Sequence, residues 1–169
     1  LIGAFRTINL VRPNVINVSM EAGSGVFGSH GITGITIADD NSGSQPQYIH
    51  IEDPYISHIV SEDDTYYADQ DGIRIFTDRL MQPEHTKQSA KITGGTVINS
   101  RGRAVKCQTQ TATINGLTII RDSSIDARGT GLGDYPELDF QTGGGVVRDI
   151  DYYYDGFAAV EMVRFNEDS

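Results

Sequence analysis

The hydrophobic residues of this chain fall in short clusters rich in β-branched side chains, separated by Gly, Asn, Asp and Ser. No segment repeats its apolar residues with the 3.6-residue period of an amphipathic helix. Short β-branched clusters bounded by turn residues are typical of strands. The pattern therefore predicts an all-β protein, with strands near 15–20, 32–38, 48–51, 73–76, 96–98, 104–107, 117–120, 145–150 and 158–165.

Three segments share the pattern Ile-x-Gly-x-Thr-(Ile/Val): ITGITIAD at 32–39, ITGGTVIN at 92–99 and INGLTIIR at 114–121. The second and third begin 22 residues apart, and the first and second begin 60 residues apart, which would fit three coils of about 20 residues. A period near 22 residues is typical of a solenoid. Leucine-rich repeats have a similar period, but Leu is scarce in this chain.

This repeat predicts a right-handed, single-stranded parallel β-helix with coils of about 20–22 residues, in which interior Ile and Val stack between coils. An ordinary β-sandwich is the alternative. We interpret 1–169 as a single β-helix segment, clearest over 32–122, with a loop inserted at 128–145 and a shorter excursion at 79–88. Strand alternation places Val105 and Cys107 inside the coil.

Charge and chain ends narrow the classes of partner. The formal net charge is −10, which disfavours binding to nucleic acid or anionic membranes, and a strongly anionic glycan would need a local basic patch. No apolar run is long enough to insert in a membrane.

The chain begins Leu-Ile-Gly-Ala-Phe, so we expect a fragment of a longer chain. The single cysteine, Cys107, is expected to be a core residue.

The segments GGTVIN and NGLTII resemble coils of the pectate-lyase-like β-helix superfamily, and within it the body of a bacteriophage tailspike. The resemblance covers mainly 32–122 and is specific for fold but not for function. Compact signatures of pectate lyases, polygalacturonases and alginate epimerases are missing. The resemblance implies a homotrimer, on the virion tail or outside the cell, that binds and often cleaves a bacterial surface polysaccharide.

Two carboxylates are the candidate catalytic residues. Glycoside hydrolysis requires a pair of carboxyl groups, and equivalent positions on neighbouring coils lie about 4.7–4.9 Å apart. Asp122 and Asp149 each follow an apolar strand and an arginine, so we expect them to stack beside the 128–145 loop. Arg121 and Arg148 would then stack on the other side of the strand and bind substrate. The alternative is that both aspartates are ordinary turn residues.

Tyrosines are the second candidate contact with sugar. Tyr135, Tyr152 and Tyr154 could stack on pyranose rings, and at least one of the three consecutive tyrosines 152–154 is expected to be a core residue because strand side chains alternate.

A lyase would need a base and a cation instead. Glu84, Lys106 and Arg128 are spaced 22 residues apart and could form such a column, or a charge ladder on a solvated face. The four histidines lack the spacing of a metal site, and the acidic run at 63–71 is interpreted as a surface turn rather than a calcium site. We therefore predict no metal and no cofactor.

Three functions stay open. The first is a tailspike-type protein that binds and depolymerises a capsule or O-antigen polysaccharide, with hydrolysis favoured over elimination. The second is a structural or adhesive β-helix without turnover, and the third is a secreted lyase or epimerase acting as a monomer. A trimer predicts apolar residues on an outward strand face, for which Phe76, Ile98 and Ile120 are candidates. The sequence does not identify the sugar.

Overall fold

A computed structural model describes residues 6–20, 32–39, 46–61, 70–77, 88–122, 136–141, 143–155 and 161–165. These ranges contain fifteen strands and no helix. The strands are β1 Thr7–Val11, β2 Asn14–Met20, β3 Ile32–Asp39, β4 Gln47–Glu52, β5 Tyr55–Ser61, β6 Gln70–Thr77, β7 Gln88–Thr93, β8 Thr96–Ser100, β9 Val105–Gln108, β10 Thr111–Asn115, β11 Thr118–Arg121, β12 Leu138–Phe140, β13 Gly144–Arg148, β14 Asp151–Tyr154 and β15 Val163–Phe165.

The strands form three parallel sheets of five, and each sheet takes every third strand. The first sheet has the order β1-β4-β7-β10-β13, the second contains β2, β5, β8, β11 and β14, and the third contains β3, β6, β9, β12 and β15. Three consecutive strands therefore make one coil, and coils 1 to 5 begin at β1, β4, β7, β10 and β13. The prediction of an all-β fold is confirmed, and the topology is consistent with a parallel β-helix-like solenoid.

The core consists of apolar columns in which equivalent residues of successive coils are register partners. In the first sheet Ile51, Ile92 and Ile114 are opposite one another and at most 1% exposed. In the third sheet the interior position carries Cys107 and then Phe140. The core position predicted for Cys107 is confirmed. Burying one such side chain contributes about 1.5–3 kcal/mol, so these columns are the main source of stability.

The coils are not uniform in length. The step from Ile92 to Ile114 is 22 residues, as predicted, but the step from Ile51 to Ile92 is 41 and that from Ile114 to Val147 is 33. The expectation of 20–22 residues for every coil is therefore wrong. Extra residues between strands are tolerated because the entropy cost of closing a loop grows slowly with its length.

The segment 32–39 is not equivalent to 92–99 and 114–121. It is a single strand, β3, in the third sheet, whereas the other two segments each cross from the first sheet to the second. Its glycine also has a different role. A Cβ on Gly34 would lie 2.6 Å from the carbonyl oxygen of Gly72 in the next coil, so Gly34 permits a close approach between coils.

The corner between the first and second sheets is the repeated feature that the sequence pattern partly detected. One residue per coil adopts a left-handed conformation there, with φ between 47° and 74°, and the N–H of each of the first four donates to a carbonyl of the next coil at 2.8–3.1 Å. These register-equivalent residues are Arg12, Asp53, Gly94, Gly116 and Asp149. Asp149 is thus a corner residue.

The loop predicted at 128–145 contains regular structure. Leu138–Phe140 forms β12 of the third sheet, with Leu138 and Phe140 buried in the core, and β13 begins at Gly144. Residues 128–135 lie outside the described part of the chain. The excursion predicted at 79–88 likewise ends with Gln88 as the first residue of β7, while 79–87 are outside the described ranges.

Two substitutions in the corner column should have different effects. Gly116→Ala should lower the free energy of unfolding by about 1 kcal/mol, because φ is +74° although a Cβ has room, its nearest neighbour lying 3.6 Å away. Asp149→Gly should change it by less than about 0.5 kcal/mol, since relief of the left-handed strain offsets the added freedom of the unfolded chain. Urea denaturation measures both. A large loss for Asp149→Gly would show that its side chain has another stabilising role.

Candidate functional site

Asp122 and Asp149 do not stack on neighbouring coils. Asp122 follows β11, where its N–H donates to Asn99 Oδ1 at 3.0 Å and its Oδ1 accepts from Asn99 Nδ2 at 2.7 Å. Its equivalent on the next coil is Asp155, because Arg121 is opposite Tyr154. Asp149 precedes β14 at the far end of that strand, roughly 15 Å or more away. The predicted pairing of these carboxylates is wrong, since this separation exceeds that of either type of glycosidase.

The two arginines predicted to accompany them also lie on different sheets. Arg121 is nearly buried, and its guanidinium forms an ion pair with the fully buried carboxylate of Glu137, with Nε donating to Oε1 at 2.8 Å. Arg148 is exposed at the end of β13 and is opposite Asn115. The structure thus holds Arg121 in an internal ion pair and leaves Arg148 on the surface.

The tyrosines divide between interior and surface. Tyr152 packs against the core, and its hydroxyl donates to Glu137 Oε1 at 3.2 Å. The Tyr152 ring stacks on that of Tyr154, with centroids 6.3 Å apart, and Tyr153 and Tyr154 are exposed. The prediction that at least one of these three tyrosines is a core residue is met only in part, since Tyr152 is partly buried and packs against the core. Tyr135 lies outside the described residues.

A buried charge network lies on the third sheet. Arg103 Nε donates to Asp139 Oδ2 at 2.7 Å, and Arg103 Nη1 lies 3.4 Å from Asp71 Oδ1. Gln141 Nε2 also donates to Asp139 Oδ2 at 2.7 Å. The three charged side chains are each at most 5% exposed. Removing one partner of a buried pair costs about 3–5 kcal/mol, so these contacts favour a stabilising role for both carboxylates.

Lys106 belongs to the same face. It is opposite Arg74 on one side and Asp139 on the other, and Arg74 lies over the Phe76 ring at 4.6 Å. Arg74 and Lys106 are only 5% and 6% exposed, so the alternative of a solvated charge ladder is wrong for Lys106. Its predicted column partners, Glu84 and Arg128, lie outside the described residues.

The outer face of the first sheet carries an open groove of about 390 Å³ across coils 1 to 4. Its polar side chains come from alternate positions of four neighbouring strands, so they form rows across the sheet. Tyr48, which is 59% exposed, is the aromatic member. The groove is lined by Thr7, Asn9, Tyr48, Ile49, His50, Ser89, Ala90, Lys91, Thr111 and Thr113.

Two rows define the chemistry of this groove, which we call the first-sheet groove. One row runs through the register partners Thr7, Tyr48, Ser89 and Thr111, and the second through Asn9, His50, Lys91 and Thr113. A cross-strand hydrogen bond links two members of the first row, with Thr111 Oγ1 donating to Ser89 Oγ at 3.0 Å. In the second row His50 is oriented by Thr93, whose Oγ1 lies 3.0 Å from His50 Nε2.

The first-sheet groove offers hydroxyl, amide, imidazole and ammonium groups beside one aromatic ring, and the described residues that line it include no carboxylate. It is therefore suited to hold a hydroxyl-rich ligand, but it lacks the two carboxyl groups of a glycosidase. The sequence carries a signal for it, since polar residues alternate with apolar ones in QYIHIE, QSAKIT and TATIN.

Within the described ranges, no group of three or more His, Cys, Asp or Glu side chains could hold a metal ion. The same part of the chain contains no helix with the length and apolar character needed to cross a bilayer. No family model, no curated protein and no solved structure matches this chain.

Cys107 should be chemically inert in the native protein. Burial and the nearby charge of Asp139 raise the pKa of its thiol from 9.0 to about 12. Iodoacetamide should therefore label native protein at pH 8 far more slowly than urea-unfolded protein. Stability should also fall above about pH 9, where the unfolded thiol ionises and the folded one does not. Cys107→Ala should lessen that fall, and rapid labelling of the native protein would contradict this assignment.

Proposed function

We propose that this chain is part of a tailspike-type protein, on a virion tail or outside the cell, that binds a bacterial surface polysaccharide in the first-sheet groove. The groove itself carries the proposal, because it combines open access, an exposed aromatic ring and rows of polar side chains. The resemblance of GGTVIN and NGLTII to tailspike coils supports the same assignment.

The shape of the groove favours an extended, hydroxyl-rich ligand. Its rows cross four strands at a spacing of about 4.8 Å, so a chain lying across the strands meets a new set of side chains at each coil. The ring of Tyr48 provides an apolar surface with a polar tip, which suits the face of a pyranose. Its volume of about 390 Å³ lies within the usual range for ligand sites.

The proposal includes a right-handed, single-stranded β-helix that is one segment of a longer trimeric chain. The right-handed sense follows from the strong preference of parallel β crossovers for that hand. The three-sheet topology with every third strand in one sheet supports the single-stranded coil.

Binding is better supported than hydrolysis at this groove. Hydrolysis by paired carboxyl groups needs both acids beside the scissile bond, and the described lining has none. Asp71 and Asp139 both contact Arg103, which holds them in a buried network. We therefore propose a receptor-binding or adhesive role for the described coils, with depolymerisation tested separately.

Tyr48→Ala should weaken polysaccharide binding at least about tenfold, because one stacking contact with a sugar is lost. The measurement is calorimetric titration against a panel of capsular and O-antigen polysaccharides. Tyr55→Ala is the matched control, since Tyr55 is also exposed but lies on the second sheet. Failure of the unmodified protein to bind any member of the panel, or equal binding by Tyr48→Ala, would overturn the proposal.

The same panel tests for cleavage. New reducing ends would indicate hydrolysis, and ultraviolet absorbance of an unsaturated product would indicate β-elimination. We expect intact polysaccharide from the described coils alone, because the groove lining lacks the required acids. Fragments that disappear with Tyr48→Ala would instead show an active site in the groove.

The second sheet supports the proposed homotrimer. One outward row of this sheet is apolar on four of five coils, and two of its members, Ile16 and Tyr153, are more than half exposed. The neighbouring outward row, which runs from Asn14 to Asp151, is mainly polar. The column consists of the register partners Ile16, Ser57, Ile98, Ile120 and Tyr153. Phe76, the third residue predicted for such a face, is instead buried on the third sheet. Apolar side chains on the neighbouring coils 3 to 5, namely Ile98, Ile120 and Tyr153, are typical of a surface that associates with another protein.

Ile98→Thr combined with Ile120→Thr should shift the protein towards monomer, because two apolar contacts at the interface are replaced by hydroxyls. Sedimentation velocity measures the distribution of species, and circular dichroism confirms that the fold is kept. Val146→Thr, on the exposed face of the first sheet, is the control. An unmodified protein that is monomeric at high concentration would refute the trimer for this segment.

A further inference from the structure

We infer that the first-sheet groove selects an acidic polysaccharide, in which the Lys91 ammonium binds a sugar carboxylate and a sugar ring stacks on Tyr48. This inference rests on the proposed function and adds the class of ligand. Its basis is the position of Lys91, a cation whose register partners on the neighbouring strands carry no carboxylate. Lys91 is exposed on β7, and its register partners are His50 and Thr113.

The charge of the groove is opposite to that of the chain. The formal net charge of the whole chain is −10, yet the ten residues that line the groove contain one lysine, one histidine and no carboxylate. Charges interact strongly only within about a Debye length, roughly 8 Å at physiological salt. Lys91 belongs to the groove lining, whereas the neighbouring carboxylate, Glu52 on β4, lies beyond that lining at the edge of the groove. An anionic substituent is therefore favoured at this point of an acidic surface.

The geometry allows one ligand to reach both residues. Tyr48 is opposite Ser89, and Lys91 lies two residues further along the same strand, so Tyr48 and Lys91 are diagonal neighbours about 8 Å apart at their Cα atoms. His50 lies beside Lys91, with its Nε2 held by Thr93 Oγ1 at 3.0 Å. A ring stacked on Tyr48 thus places a carboxylate of the same or the next sugar near the Lys91 ammonium.

Other cations of the described residues are less suitable for this role. Arg74 and Lys106 are adjacent in register but only 5% and 6% exposed, and Arg103 is bonded to two aspartates. Arg148 is exposed but does not line the groove. Arg6 is exposed near Tyr48 but does not line the groove, whereas Lys91 is exposed and belongs to the lining. A bond between an ammonium and a carboxylate is about twice as strong as a neutral one, which makes it a basis for selection.

The test uses uronate-containing capsular polysaccharides, each paired with its carboxyl-reduced form, and neutral O-antigen polysaccharides. We expect the strongest binding to uronate-containing members and a loss of about tenfold or more on carboxyl reduction. Lys91→Gln should remove most of this difference. Arg12→Gln is the control, because it removes the same charge at an exposed corner that does not line the groove. Thermal unfolding curves establish that both variants are folded.

The possible failures are distinct. Equal binding of reduced and unreduced polysaccharides, with binding still weakened by Tyr48→Ala, would overturn the inference and leave the proposed function standing. A carboxylate preference that survives Lys91→Gln but is lost in another variant would overturn the assignment to Lys91. Absence of binding to acidic and neutral members alike would overturn both the inference and the proposed function.

Discussion

The left-handed corner between the first and second sheets is the constraint on which the coil stack depends. At each coil one residue turns the chain with φ between 47° and 74°, and along the stack its N–H donates to the next coil at 2.8–3.1 Å. Non-glycine residues pay about 1–2 kcal/mol for this conformation, yet Arg12, Asp53 and Asp149 adopt it. The bond to the next coil fixes the register there, and a register fixed at one corner aligns the interior columns on both sides of it.

The outer faces of the three aligned sheets carry different kinds of side chain. On the third sheet the outward residues Arg74, Lys106 and Asp139 are buried, and Asp139 forms an ion pair with Arg103. On the second sheet one outward column is mainly apolar, with Ile98 and Ile120 as register partners. The first sheet presents an open polar groove. Side chains outside the core can differ between the sheets without changing the backbone. The same coil therefore supports a stabilising charge network on one sheet, an apolar row suited to association on another and a ligand-binding face on the third.

The sequence predicted an all-β chain with parallel coils, but its predicted strands did not include β1, β5, β7, β10 or β12. The 22-residue step was predicted because Gly94 and Gly116 mark two successive corners with the same residue type. The other corners carry Arg or Asp in the same conformation, so the residue types do not show that these positions are equivalent. For this reason the sequence did not reveal the coils of 41 and 33 residues. Asp122 and Asp149 were paired because each follows an Arg after an apolar strand. Those strands belong to different sheets, and sheet membership depends on three-dimensional register, which a local motif does not contain.

The first-sheet groove was missed for a related reason. Its residues are separated by 41 and 22 positions in sequence, and each is an ordinary surface residue until the coils are stacked. Stacking then brings Tyr48 and Lys91 onto one face, while the inward partners Ile49 and Ala90 keep the core apolar. Because inward and outward positions alternate along each strand, a groove residue can change without altering the packing that sets the register. The specificity of the groove can therefore diverge between related chains while the coil stack stays the same.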